Sequence, residues 1–458
     1  MRSDSVDFIH SLRYAEIPAT ARHAARRALL DSLGVAAAGS VTEASRILRD
    51  HAVRFHAAGA EGATLLFDGR RTAPPGAAMA GAGTIDAIDA HDGHRLTKGH
   101  VGAAVVPALL AYCDELAPCG GKEFLTRLVV GYEIATRAGI ALHATVADYH
   151  TSGAWNTLGA AAIGARALNL TEEQSAHALG IAEYYGPRSQ MMRVIDYPSM
   201  VKDGSAMGAF NGVSAALLAQ DGFTGAPAIT VMDEEVDEVW ADLGRRWRVE
   251  EQYFKAYPVC RWAQPAVEAV LSLVRAEGEA PIPASQIAGI TIHSFTEATR
   301  LVLRHPKTTD EAQYSLPFPV AAAVVHGKLG VPEIDGPDLA DLEVLKLSDS
   351  VRMVAEPLYD DSFPAERWAH AVLRLKDGRR LVSAPCTARG DPERPFSDSR
   401  LIEKFHELAA PVLGESEREA IVAGCLTVDQ QDGVAALATV LYGRALDGPH
   451  SSLMASVR

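Results

Sequence analysis

Between residues 20 and 39 the chain reads Thr20-Ala21-Arg22-His23-Ala24-Ala25-Arg26-Arg27-Ala28-Leu29-Leu30-Asp31-Ser32-Leu33-Gly34-Val35-Ala36-Ala37-Ala38-Gly39. Ala25, Ala28, Leu29, Leu33 and Ala36 fall on one helical face, and Gly39 can cap the end. The same period returns over residues 101–116, 123–143 and 157–168, where alanine and glycine let helix axes approach closely. Thr171-Glu172-Glu173-Gln174 is a capping box opening another helix. Residues 199–220 read as a further helix, closed by Asp221-Gly222. One β signal interrupts, Thr64-Leu65-Leu66-Phe67 before the turn pair Asp68-Gly69.

After about residue 265 the texture changes. Residues 287–293 have the β-branched bias of a strand. Ala369, Ala371, Leu373 and Leu375 then alternate with His370, Val372, Arg374 and Lys376. The run turns at Asp377-Gly378 and returns as Arg380-Leu381-Val382-Ser383, a hairpin. Helical signal resumes over 399–413 and 416–441. The expected fold is mainly α: a large all-helical domain built from both chain ends (1–264 and 396–458) with a smaller inserted α/β lid domain (265–395). Gly390-Asp391-Pro392-Glu393-Arg394-Pro395 reads as the linker back.

The 458 residues carry 58 acidic and 43 basic side chains, a formal net charge of −15. This balance argues against nucleic acid or an anionic membrane as partner, while leaving a local basic pocket open to a small anionic substrate. The five cysteines form no CxxC pair and read as reduced thiols. The N-terminus lacks an apolar signal core, and no apolar run reaches the roughly 18 residues of a membrane span, so the expected location is cytoplasmic. Neither GxGxxG nor GxxxxGK[ST] occurs, which disfavours nucleotide cofactors.

Four segments carry groups suited to chemistry. The densest holds Asp86, Asp89, His91, Asp92, His94, Arg95, Lys98 and His100, just ahead of an alanine-rich helix whose N-terminus suits a carboxylate. Acid/base groups at a pocket rim, a metal site and a solvated polar loop are all consistent with it; HxxH spacing matches no strong zinc signature. The second is Tyr149-His150-Thr151-Ser152-Gly153, with His150 before a small-residue helix. The third is Ser199-Met200-Val201-Lys202, where Lys202 either snorkels outward or faces a polar cavity. The fourth is Lys255-Ala256-Tyr257-Pro258-Val259-Cys260-Arg261; Cys260 has no fixed histidine partner and reads as a packed thiol before a nucleophile.

In this order along nearly the whole chain, these segments resemble the MmgE/PrpD family, which takes in 2-methylcitrate dehydratase, cis-aconitate decarboxylase and iminodisuccinate epimerase. Leu30-Asp31-Ser32-Leu33-Gly34 is similar to its "DSLG" segment and residues 88–100 to its "LDFDD…HP" loop. Residues 199–202 are similar to "SMxK", residues 255–261 to "KxYPxCR", Gln313-Tyr314-Ser315-Leu316-Pro317-Phe318 to "QFSxPY", and Gly390-Asp391-Pro392 to "GdPxxP". His91 stands where an acid is usual, Val101 where proline is common and Phe318 where tyrosine is frequent.

The resemblance implies a homodimer without metal or other cofactor, acting on small di- or tricarboxylates by proton transfer beside a carboxylate. On that basis His100 and His150 are expected as the proton-transfer pair, with Asp89 orienting a histidine or binding a substrate hydroxyl or amine, and Lys202 clamping a carboxylate. His94, Lys255, Tyr257, Cys260 and Arg261 are expected to bind substrate. The activity implied is that of a lyase or isomerase: hydro-lyase, decarboxylase or epimerase. The alternatives are a non-catalytic carboxylate-binding homologue and a metal-dependent hydrolase.

Overall fold

Alanine and glycine faces let helices meet at backbone distance, and the helical half is built on such contacts. The computed structural model describes residues 4–275, 282–430 and 435–443. Residues 1–3, 276–281, 431–434 (inside the stretch read as helix over 416–441) and 444–458 (counted above with the helical domain) lie outside the described residues. The stretch quoted first forms helix α1 (Ala19–Gly39), buried on all sides from Ala28 onward. It crosses α2 (Pro74–Asp86) so closely that a Cβ on Gly39 would stand 1.9 Å from the Thr84 carbonyl oxygen. α3 (Gly102–Ala111), α4 (Gly121–Thr145), α5 (Gly153–Ala167), α6 (Glu172–Tyr185) and α7 (Ser205–Gln220) complete this body, with α7 packed on α2, α5 and α6. The Thr171 capping box is present on α6.

The second lobe holds a four-stranded sheet in the order β4-β3-β5-β6, with β3 Ile287–Ser294, β4 Val351–Ala355, β5 Ala369–Leu375 and β6 Arg380–Val382. β3 runs parallel to β4 and antiparallel to β5, and β5–β6 is the hairpin read from Asp377-Gly378. α8 (Gln264–Val274) and α9 (Pro317–His326) share its apolar core, which also takes Met191, Val194 and Ile195 from the helical half. A separate ribbon pairs β1 (Ala63–Thr64) with β2 (Arg71–Thr72); of the strand read over residues 64–67 only Thr64 is in it, and the chain turns back through Leu65 to Arg70. The chain is mainly α, and no helix among the described residues is long and apolar enough to cross a membrane.

The chain returns from the sheet lobe through α10 (Asp398–Ala409), which packs on α1, and α11 (Glu415–Leu426). Lys404 of α10 donates to Asp31 Oδ1 (2.6 Å) and to the Ala90 carbonyl (2.7 Å), tying the C-terminal helix to α1 and to the loop after α2. Phe405 lies against Gly34, where a Cβ would meet its ring at 2.9 Å.

Three expectations need correction. The helix read over 199–220 begins only at Ser205, because Lys202 (φ 50°) and Gly204 (φ 71°) are left-handed and break the turn before it. The stretch 416–441 is two helices, α11 and a second over Ala435–Tyr442. The helix read over 101–116 is α-helical only to Ala111 and widens into a π turn over Tyr112–Leu116.

Candidate active site

A loop rich in charge can be buried only if its backbone and side chains are satisfied internally. The backbone of the segment after α2 meets that demand, while Asp89 Oδ2, His91 Nδ1, Asp92 Oδ1, His94 Nδ1 and His100 Nδ1 are buried without a hydrogen-bond partner. Gly93 and Tyr253 exchange backbone hydrogen bonds (3.1 and 2.8 Å), and the His94 N–H donates to the Gly99 carbonyl (2.9 Å). Asp86, Asp89, His91, Asp92, His94 and His100 are all buried. The solvated-loop reading is therefore excluded. The N-terminus of α3, expected to receive a substrate carboxylate, faces the protein's own Asp92: a Cβ on Gly102 would come within 2.3 Å of Asp92 Oδ1. Tyr132 donates to the same carboxyl group (2.9 Å), which burial first and Asp31 second push up to about 7.

At the centre, the rings of His91 and His100 lie 4.1 Å apart, centroid to centroid. His91 Nε2 bonds to Asp86 Oδ1 (2.9 Å). His100 Nδ1 lies 3.0 Å from Asp203 Oδ2, and its Nε2 lies 3.9 Å from Asp89 Oδ1. Ser152 accepts the His100 N–H (2.9 Å) and donates to Asp203 (2.9 Å), which fixes that aspartate beneath the ring. Burial, followed by the Lys255 ammonium, holds His100 well below the usual imidazole range and His91 down at about 3. Both rings are therefore neutral at physiological pH. Burial first and Asp203 second push Asp86 up to about 7.

Two ammonium groups face this cluster. Lys255 donates to the Asp89 side chain and to its carbonyl (2.9 Å). Lys202 pairs with Asp310 Oδ1 (2.8 Å) and donates to Gln313 of the sheet lobe. Gln313 in turn donates to the Ala87 carbonyl (3.1 Å), so it bridges the two lobes. Tyr314 is buried beside Lys202, whose Nζ lies 5.7 Å from its ring centroid, and burial drives its phenol well above the ordinary range. Asp89, Lys98 and Lys202 all take positive φ (48°, 55° and 50°), a conformation that non-glycine residues hold only under constraint.

The remaining predicted residues are placed unevenly. Asp89, Lys202, Lys255 and His100 come together. His94 is turned to Glu251 (3.0 Å) at the edge of the loop. Arg261 pairs with Asp391 (2.5 Å) and lies over the Tyr253 ring, 4.4 Å from its centroid. Cys260 is packed in the lobe core, with burial pushing its thiol up to about 12, so it remains protonated. Tyr257 points to Glu268 (3.0 Å) and Arg389 (3.0 Å), away from the histidines. His150 is half-buried, and its N–H donates to His143 Nε2 (3.0 Å). Its ring sits among His143, Arg188 and Asp148, not against His100. The partner the structure gives to His100 is His91.

Asp203, Asp310, Tyr314 and Arg367 belong to the same neighbourhood without having been singled out as site residues. Tyr314 lies within a segment already quoted, and Asp203 directly follows one. Asp310 and Arg367 carry no sequence signal, because each arrives by packing of the inserted lobe. Asp86, His91 and His100 also offer three metal-ligand atoms within 4.8 Å of one another. However, the nitrogen that His91 turns to Asp86 is spent on a hydrogen bond, and Lys255 already supplies positive charge beside both rings. The donor set fits a proton-transfer cluster better than a cation cage.

Two hollows open near the cluster, neither of them lined by His91, His100 or Lys202. The larger, about 780 Å³, is lined by Lys255, Tyr257, Arg389, Arg400 and Lys404 among others. The smaller, about 180 Å³, is lined by His94, Arg95, Ala365 and Pro392 among others.

A family model described as the MmgE/PrpD N-terminal domain matches residues 4–241, and one described as the MmgE/PrpD C-terminal domain matches residues 257–428. The cis-aconitate decarboxylase-like protein oryM of Aspergillus oryzae is 24% identical over 480 residues, covering 95% of this chain and 96% of the relative. Human cis-aconitate decarboxylase is 24% identical over 461 residues, covering 95% and 93%. The cis-aconitate decarboxylase of Aspergillus terreus is 23% identical over 463 residues, covering 93% and 92%. With both halves matched and nearly the full length aligned, the chain belongs to the MmgE/PrpD family.

Proposed function

We propose that this protein is a lyase or isomerase that removes a proton from a carbon next to a carboxylate of a small di- or tricarboxylate. The observation that carries the reading is His100. It is a buried, neutral imidazole with Nδ1 held against Asp203 (3.0 Å) and Nε2 turned toward the Asp89–Lys255 pair. A neutral ring held in place by its surroundings presents a nitrogen lone pair as a base, and a positioned base contributes on the order of 10² to 10⁴ in rate.

Taking the proton leaves negative charge on the adjacent carboxylate. Lys202 and Lys255, fixed by Asp310 and Asp89 before substrate arrives, stabilise that charge without reorganising. Asp203 stabilises the imidazolium as it forms. Asp89 orients the Lys255 ammonium, and His150 serves at the rim. The same machinery fits loss of water and inversion at a carbon; in loss of carbon dioxide the C–C bond breaks instead, its electrons stay on the carbon beside the remaining carboxylate, and that carbon takes up a proton delivered through the same histidine. The names of the relatives make cis-aconitate the first compound to offer.

The division into a body (1–264 and 396–458) and an inserted lid (265–395) belongs to this proposal, as does a homodimer. In favour of the dimer, Tyr184, Tyr185, Tyr197, Met200, Val201 and Met207 expose large apolar side chains on and between α6 and α7.

The test is proton NMR in D₂O with cis-aconitate, citrate and a panel of related di- and tricarboxylates. Product formation, or deuterium exchange at the carbon α to a carboxylate, supports the proposal. Binding without turnover or exchange across the panel would identify a carboxylate-binding homologue instead. Activity that vanishes on chelation and returns with a divalent metal would identify a metal-dependent hydrolase.

A further inference from the structure

The mechanism above uses two cations, each facing an acid. Two others in the same region face none. Arg367 lies just before β5 and is buried at 4% exposure. Its Nε and Nη1 have no hydrogen-bond partner, and Nη2 makes only a long contact (3.4 Å) to the Arg95 carbonyl. The Asp391 carboxylate near it is taken by Arg261 (2.5 Å). The charge of Arg367 is felt at His100, Tyr253 and Lys98.

Lys98 is contributed by the helical half. Its left-handed backbone (φ 55°) holds it at the end of the buried loop, with Nζ 4.3 Å from the Tyr149 ring centroid. Among the described residues it has no carboxylate partner. Burial first, and Arg367 second, bring its ammonium down to about 8.

Keeping a guanidinium out of water without a counterion is costly, and a like charge beside it adds to the cost. Such an arrangement marks a site prepared for an anion. We propose that Lys98 and Arg367 form a second carboxylate subsite, apart from Lys202, which grips the substrate's other carboxylate. This inference rests on the polycarboxylate reading above and extends it. One cation comes from each half of the molecule, so the subsite is complete only while the sheet lobe is seated on the helical body. Substrates with a single carboxylate would leave it unfilled, and selection for polycarboxylates follows.

The experiment is thermal unfolding of the full chain against increasing propane-1,2,3-tricarboxylate, for the wild type, R367M and K98M, with turnover measured on the substrate found by NMR. Wild type is expected to be stabilised by the tricarboxylate. Each variant is expected to bind it roughly 10- to 100-fold more weakly, the worth of one charge-assisted contact. R367M without ligand is expected to melt no lower than wild type, since it loses an unpaired buried charge; a purely structural arginine would lower the melting temperature instead. K98M, changed at a half-buried side chain, decides the matter should R367M fail to fold. Variants that fold and bind as tightly as wild type overturn the inference alone and leave the functional reading standing. A wild type indifferent to every polycarboxylate overturns both. If inorganic phosphate stabilises as strongly as the tricarboxylate through the same two residues, the pair is a phosphate site and the inference is overturned.

Discussion

The imidazoles of His91 and His100 lie 4.1 Å apart with a 36° tilt; His91 Nε2 is bonded to Asp86, and His100 Nδ1 lies 3.0 Å from Asp203. Beside Lys255 and out of water, neither ring readily takes a proton from solvent. A base held below the usual imidazole range stays unprotonated in the resting protein near neutral pH.

Replacing His100 with glutamine is expected to lower kcat by about 10² to 10⁴, with the circular dichroism spectrum retained. His150→Gln is expected to act mainly on KM, because that ring stands at the rim beside His143. Steady-state kinetics of the two variants checks the assignment. An equal collapse of kcat in both would restore His150 to the proton-transfer pair.

Asp86 should make stability depend on pH. Its folded-state value, about 7, lies above the ordinary 3.8. The folded state therefore holds the proton more tightly than the unfolded chain does. The associated stability is present below the unfolded value and is lost as pH rises from about 3.8 through about 7. Asp86→Asn removes that dependence, so the variant should gain on wild type between about pH 4.5 and about pH 7.5. Urea unfolding at the two pH values measures the difference, and a variant that falls behind wild type at the higher pH would contradict it.

The Lys404–Asp31 pair should be structural. Both groups are buried, and Lys404 also caps the Ala90 carbonyl. Lys404→Met leaves Asp31 uncompensated and should cost about 3–5 kcal/mol, whereas a double change of Lys404→Met with Asp31→Asn should recover part of it. Chemical denaturation of the three proteins tests this.

The exposed side chain of Val201 neighbours Lys202, so association through that face would set the site close to a subunit boundary. Val201→Glu is expected to convert a dimer to a monomer in light scattering. A wild-type protein that is already monomeric at micromolar concentration would refute the dimer.

Much of the fold was legible because helix and strand periods are local. The Asp377-Gly378 hairpin and the Thr171 capping box stand where the residues put them. The mistaken start at residue 199 has a local cause as well: apolar periodicity continues through Met200 and Val201, while the left-handed turn at Lys202 and Gly204 is held by packing around the site. The site was legible only in part. Asp89 and His100 fall in the densest polar segment, and Lys202 and Lys255 in short segments that stood out by their motifs. Asp310 and Arg367 stand alone in sequence, and only the seating of the sheet lobe brings them in. His150 looked equivalent to His100 because both precede small-residue helices. In three dimensions the former is turned to His143 and the latter to Asp203.

The return of α10 onto α1 also bears on how the protein comes off the ribosome. Asp31 and Gly34 emerge early, yet Lys404 and Phe405, which cover them, are made only after the whole sheet lobe. A nascent chain halted near residue 260 thus shows an open seam along its first long helix, a target for holding chaperones. Translation would have to run almost to the end before that seam closes.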